Sequence, residues 1–259
     1  MLTLHPVPAF SDNYIWCLHD DQSAYVVDPG EAEPVLRYLK ERSLRLKGIL
    51  VTHHHFDHVS GIEALLAASP EIPVWGPGNE TIPGRTLSLK GGEQFELDWG
   101  MQLQVLAVPG HTLGHIAYFA PESPLGPLLF CGDTLFSSGC GRLFEGTPAQ
   151  MHESLQRLGQ LPPETLVCCT HEYTTANLKF AQAVEPDNRD IAERLDEVRG
   201  LREQNLPSLP SSLALEWKVN PFLRANEGAV LASLTSKLGT RPTSAADSFA
   251  KLRQWKDNF

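Results

Sequence analysis

The sequence predicts a mixed α/β (α+β) domain followed by a small helical one. Two observations carry this. Over the first two-thirds of the chain, short apolar runs alternate with turn residues and with stretches of helical periodicity. From about residue 175 the strand signal stops, and charged residues and good helix formers take over. The expected boundary divides the chain into 1–174 and 175–259.

The elements follow in order. YIWCLHD and SAYVVDPG read as a hairpin of two strands. EPVLRYLKER has apolar residues at helical spacing. KGILVT is a strand, and SGIEALLAASP a helix with Ser60 as its expected N-cap and Glu63 completing a capping box. PVWGP is a short strand. FELDWGMQLQVLAVPG, HIAYFAP and PLLFCGD supply three or four more. AQMHESLQRLGQLP is a helix and TLVCCT the last strand. Beyond it, the stretch ANLKFAQAVEPDNRDIAERLDEVRGLREQN is helical, PSLPSSL is a loop, and NPFLRANEGAVLASLTSK and SAADSFAKLRQWKDNF are helical again.

Bulk properties exclude several functions. The formal net charge of −10 opposes a long polyanion, so nucleic-acid binding is not expected, while a small anionic substrate fits wherever basic residues gather. The cysteines are Cys17, Cys131, Cys140, Cys168 and Cys169. They are odd in number and form no C-x-x-C pair, which argues against a disulfide framework or a cysteine zinc knuckle and suits a reducing compartment. The opening MLTLHPVPAFSDNYIWCL lacks an early Lys or Arg and is interrupted by Pro6, Pro8 and Asp12, so it does not read as a signal peptide. No apolar run is long enough for a membrane span. The expectation is a cytoplasmic monomer that acts on a small molecule, with neither nucleic acid nor membrane as partner.

The chemistry concentrates in GILVTHHHFDHVSGIEALLAA, residues 48–68. Histidine is a poor helix former and a middling strand former, so propensity gives no reason for the cluster. Its placement does. KGILVT leads into His53, LQVLAVPG into His111, PLLFCG into Asp133, and TLVCCT into His171. Residues at strand ends are held by a rigid sheet, which is where sites are built. His53 and His55 are two apart and face one side of an extended chain, while His54 points away. With His111 they make three imidazoles for one metal. Asp57, His58 and His171 make a second set, and Asp133 is placed to bridge the two. His and carboxylate donors suit zinc, and also iron or manganese.

His5, His19, His54 and His152 read as ordinary structural histidines. His115 follows His111 by four and is left outside the ligand set as a hydrogen-bonding residue of its own loops. Other catalytic templates fail. There is no G-x-S-x-G elbow and no phosphate-binding P-loop, and His171-Glu172 does not continue to H-E-x-x-H.

THHHFDH, PGHTLGH, CGDTLF and THEY together resemble the metallo-β-lactamase superfamily. From DNYIW through GCGRLFEGT to NPFLR and RQWKDNF, nearly the whole chain resembles its glyoxalase II branch, the hydroxyacylglutathione hydrolases. The resemblance implies a four-layer αββα sandwich with a C-terminal helical substrate-binding domain. It implies two divalent ions, zinc foremost, on His53, His55 and His111 and on Asp57, His58 and His171, with Asp133 shared. Asp57 and Asp133 take the catalytic roles. The implied reaction hydrolyses S-D-lactoylglutathione to D-lactate and glutathione, the second step of methylglyoxal detoxification. The implied glutathione contacts are Arg142, Tyr173, Arg253 and Lys256. Arg142 stands where members often carry Lys, so the charge is kept with a different geometry. Phe144 stands where some carry tyrosine, so a hydroxyl contact is lost. The nearest rival is an iron-dependent persulfide dioxygenase on the same fold. A non-catalytic zinc module is disfavoured, since structural zinc sites are usually cysteine-rich.

Overall fold

The computed structural model describes residues 1–259. They fall into two compact units, 1–107 with 114–132, and 108–113 with 133–259.

In the first unit, β1 (Thr3–Ala9), β2 (Asn13–His19) and β3 (Ser23–Val27) are followed by helix α1 (Ala32–Arg42) and β4 (Arg45–Leu50). Two short helices come next, α2 (Phe56–Val59) and α3 (Ile62–Ala68), then β5 (Val74–Pro77) and β6 (Leu87–Leu89). These strands form one sheet in the order β1-β2-β3-β4-β5-β6. The first two pairings are antiparallel and the rest parallel. Parallel neighbours need a crossover, which α1 supplies between β3 and β4. Four further strands, β7 (Gln94–Leu97), β8 (Met101–Ala107), β9 (Ile116–Ala120) and β10 (Leu128–Gly132), pair antiparallel in sequence order.

Strands β2 and β3 are buried along their whole length, which explains why they read as continuous apolar runs rather than alternating ones. One face of the first sheet packs Val26, Ile49, Val51 and Val74 against Val35, Leu39, Ile62 and Leu65 of the helices. The other face meets the second set of strands. Trp75 stacks on Phe95 with centroids 5.2 Å apart, and the buried Tyr118 donates its hydroxyl to Val51 O at 2.8 Å.

One strand is added here and one local reading is corrected. Strand β1 was not legible because Pro6 and Pro8 interrupt it. It forms nonetheless, since an edge strand tolerates residues that donate no backbone hydrogen bond. Ser60 is not an N-cap. The HHHFDH run itself turns into α2, so Ser60 ends that helix and gives its hydroxyl to Gly30 O at 2.6 Å, leaving Gly61 to start α3.

The second unit carries the hairpin β11 (Leu135–Phe136) and β12 (Gly139–Cys140), helix α4 (Pro148–Gly159) and strand β13 (Leu166–Cys169). Helices α5 (Thr174–Val184) and α6 (Arg189–Glu203) follow, separated at Pro186, which cannot continue a helix. The Pro/Ser loop contains a two-residue strand, β14 (Ser211–Ser212), paired to β13. Helices α7 (Leu213–Val219), α8 (Gly228–Leu238) and α9 (Ala245–Asp257) close the chain. Leu178, Ala181, Ile191, Leu195, Val198 and Val219 form the core of α5, α6 and α7. Phe180, Phe222, Phe249 and Trp255 extend it as an aromatic cluster. No helix is long and apolar enough to cross a membrane.

Helix α4 opens with a full capping box between Thr147 and Gln150, with Pro148 in its first turn. Thr147→Ala removes an orphan-donor partner, so thermal unfolding is expected to show a loss of about 1 kcal/mol, roughly 2–4 °C in Tm. An unchanged Tm would mean that packing alone holds this helix end.

Candidate metal and substrate site

In the first unit the histidine cluster sits immediately beyond β4, and each ring is oriented by a named partner. Asp28, at the end of β3 with φ 53°, is 2% exposed. Its carboxylate accepts from Thr52 N–H (2.7 Å), from the Thr52 hydroxyl (2.7 Å) and from His58 Nδ1 (3.1 Å). Because the Thr52 proton goes to Asp28, the Thr52 oxygen accepts from His53 Nδ1 at 3.1 Å. Both histidines therefore carry their proton on Nδ1 and present an Nε2 lone pair, the state a metal ligand needs.

The remaining donors converge. His53 Nε2 lies 3.1 Å from His55 Nδ1, and His58 Nε2 lies 3.6 Å from Asp57 Oδ2. Asn13 Nδ2 donates to that same Asp57 oxygen at 2.9 Å. In each of the pairs His53–His55, His53–His58 and Asp57–His58, the donor atoms lie within 4.8 Å. His54 turns away, with Nδ1 3.0 Å from the carboxylate of Glu80. His115 stacks nearly flat on the His53 ring, at 4.6 Å and 19°.

The second unit orients its donors in the same manner. His111 Nδ1 donates to Arg142 O at 2.8 Å, and a carbonyl can only accept, so Nε2 is again the lone-pair nitrogen. It faces Asp133 Oδ2 at 3.4 Å, while Asp133 Oδ1 faces His171 Nε2 at 3.4 Å. One carboxylate thus offers a separate oxygen to each of two imidazoles. His171 is clamped between the flat face of Tyr173 (4.6 Å, 6°) and the edge of Phe136 (5.7 Å, 90°). Phe144, itself exposed, meets the His111 ring edge-on at 5.2 Å. Gly141 fits here because any Cβ would stand 1.9 Å from Asp133 O and 3.1 Å from His111 Nδ1.

A cavity of about 490 Å³ in the second unit opens over His111 and Asp133, and Arg142, Tyr173, Arg253 and Lys256 line it. Arg253 is not on a solvated helix face. It is 5% exposed, donates from Nη1 to Cys140 O (3.0 Å), pairs with Asp257 (2.8 Å) and lies over the Phe222 ring at 5.2 Å. Lys256 reaches Ala176 O at 3.2 Å, and its ammonium sits 5.3 Å over Phe180. Desolvation, and then the neighbouring Arg253 and Arg142 charges, hold its pKa below the usual lysine value. Three cations thus line one cavity of a protein whose formal net charge is −10, a local potential suited to an anion.

Sequence reasoning passed over Asp28, Thr52 and Asn13, which orient His58, His53 and Asp57. Asp28 stood in plain view, since VVD ends a strand just as LLFCGD does. It also missed the buried Glu216 and Asn220, for which no local pattern exists.

The family model described as metallo-beta-lactamase superfamily matches residues 10–171, and that described as hydroxyacylglutathione hydrolase C-terminus matches 172–259. A protein of Cupriavidus taiwanensis named hydroxyacylglutathione hydrolase is 53% identical over 266 residues, covering 100% of both chains. Among solved structures, ETHE1 from Myxococcus xanthus aligns over 100% of both chains with a TM-score of 0.64 at 23% identity, a likeness of fold. TTHA1623, solved in a di-iron-bound form, aligns over 85% of this chain and 100% of its own, at 27% identity and a TM-score of 0.59.

Proposed function

The chain belongs to the hydroxyacylglutathione hydrolases of the metallo-β-lactamase superfamily, and on that premise we propose that it hydrolyses S-D-lactoylglutathione to D-lactate and glutathione. The observation that carries the reading is the cavity of the second unit. It joins two proposed metal ligands, His111 and Asp133, to three cations suited to the carboxylates of glutathione.

The ligands we assign are His53, His55, Asp57 and His58 in the first unit and His111, Asp133 and His171 in the second. The donor set of imidazoles and carboxylates, with Nδ1 protons anchored on Asp28, Thr52 and Arg142 O, fits two divalent ions, zinc foremost and iron or manganese as alternatives. The di-iron form of TTHA1623 supports a two-metal reading. When bound, such ions acidify water and polarise a carbonyl.

The chain's own residues do the rest. Arg142, Arg253 and Lys256 hold the glycine and glutamyl carboxylates, and Tyr173 packs beside them. Asp57, fixed by Asn13, accepts a proton as water attacks the thioester carbon. The C–S bond then breaks and the electron pair leaves on sulfur. A thiol has a pKa near about 8.5, so its thiolate departs without a strong general acid. The five buried cysteines, none of them in a disulfide, suit the reducing cytoplasm we assign to the protein.

The reading is tested by hydrolysis of S-D-lactoylglutathione with metal-counted protein, beside an acyl thioester of a small non-peptide thiol. Chelator-sensitive turnover of the glutathione thioester is expected. No turnover by protein carrying two metals would discard it, and oxygen uptake with glutathione persulfide would favour the dioxygenase. Arg253→Ala and Lys256→Ala are each expected to raise KM for the glutathione thioester about tenfold, the worth of one charge-assisted hydrogen bond. The small thioester is expected to be unaffected. An unchanged KM would remove α9 from substrate binding.

A further inference from the structure

Next to Arg253 lies a buried polar cluster that the reaction as described leaves unused. Glu216 of α7 and Asn220, its C-terminal cap, are both 0% exposed. The β11–β12 hairpin turns through Ser137 and Ser138, the latter at φ 57°, and its backbone groups take partners from the helices. Glu216 Oε2 accepts from Ser138 N–H at 2.7 Å, and Ser211 gives its hydroxyl to Oε1. Asn220 Nδ2 spreads its protons over Phe136 O (3.1 Å), Gly139 O (2.9 Å) and Glu216 Oε2 (3.0 Å).

The other end of the same amide decides what this cluster does. Asn220 Oδ1 accepts from Phe222 N–H at 3.0 Å. The Phe222 ring lies under the Arg253 guanidinium, and Cys140 at the end of the hairpin accepts from Arg253 Nη1. One side chain therefore ties down both supports of Arg253: its nitrogen holds the hairpin that ends in the Cys140 carbonyl, and its oxygen holds the backbone of the ring beneath.

We propose that Asn220, braced by Glu216, is a positioning residue for glutathione recognition, acting by aiming the Arg253 guanidinium into the cavity. The inference rests on Arg253 being a glutathione contact. Glu216 braces through acceptor geometry rather than charge, in keeping with the burial that pushes its carboxyl pKa up. A glutamine oxygen can take the Ser138 and Asn220 protons while its amide donates to Ser211.

The test is a double-mutant cycle on the metal-loaded enzyme, with metal content, Tm and both thioesters followed throughout. Asn220→Ala is expected to raise KM for S-D-lactoylglutathione about tenfold with kcat and metal content retained, as loss of one charge-assisted contact would. In an Arg253→Ala background the same change is expected to add nothing. Glu216→Gln is expected to keep the wild-type KM. Asn220→Ser, a milder loss of the same bonds, serves if Asn220→Ala does not fold. A full second rise in KM without Arg253, or a fall in metal content with equal loss on both thioesters, overturns the inference. If wild type turns over the glutathione thioester but Arg253→Ala leaves KM unchanged, the contact reading itself has failed and the inference falls with it.

Discussion

Asp133→Ala is expected to leave the protein short of metal and to lower kcat on S-D-lactoylglutathione by about a thousandfold or more. The carboxylate is 7% exposed, with one oxygen 3.4 Å from His111 Nε2 and the other 3.4 Å from His171 Nε2. Removing it takes a donor from both imidazole positions at once. The Lewis acidity a metal site supplies is worth several kcal/mol, and about 1.4 kcal/mol is a factor of ten in rate. Atomic spectrometry of the purified variant, read beside initial rates, decides the matter. Two retained metals with normal turnover would end the shared-ligand assignment.

Asp28→Ala is expected to damage stability and metal binding together. Three donors point at this carboxylate: Thr52 N–H, the Thr52 hydroxyl and His58 Nδ1. Alanine leaves all three without their acceptor in a buried setting, and it must also adopt the left-handed φ of 53° that aspartate tolerates better. The expected loss is about 3–5 kcal/mol, or roughly 10 °C in Tm. His58 loses the acceptor of its Nδ1 proton, and His53 keeps only a Thr52 hydroxyl that is no longer held in place, so metal affinity is expected to fall about 10–100-fold. Asp28→Asn keeps one acceptor and should fall between. Calorimetry on chelated and metal-loaded protein separates the two effects. A Tm that falls equally in both states would make Asp28 purely structural.

The missed strand and the misplaced cap have physical causes. Strand β1 hid behind Pro6 and Pro8, because a propensity scale does not know that a strand lies at an edge. Ser60 matched a capping box in spacing, but the preceding turn was already committed to α2. Elsewhere the pattern was informative. Buried strands such as β10 and β13 are continuous apolar runs, and β4 ends in the buried Gly48-Ile49-Leu50, so a His or Asp just past their ends stands out against them.

The sequence by itself determined the metal-type donors, their placement beyond strand ends and the full-length kinship, because composition and period are local and survive in one dimension. Only the tertiary structure decided which nitrogen of His53, His58 and His111 faces outward, that Arg253 is buried rather than solvated, and that Asn220 ties together its supports. Those facts rest on hydrogen bonds between residues far apart in the chain, 24 positions for Thr52 and Asp28 and 113 for Arg253 and Cys140. No spacing rule reaches across such distances. The hydrogen-bond demand of each buried polar group is met by whatever the folded chain brings beside it.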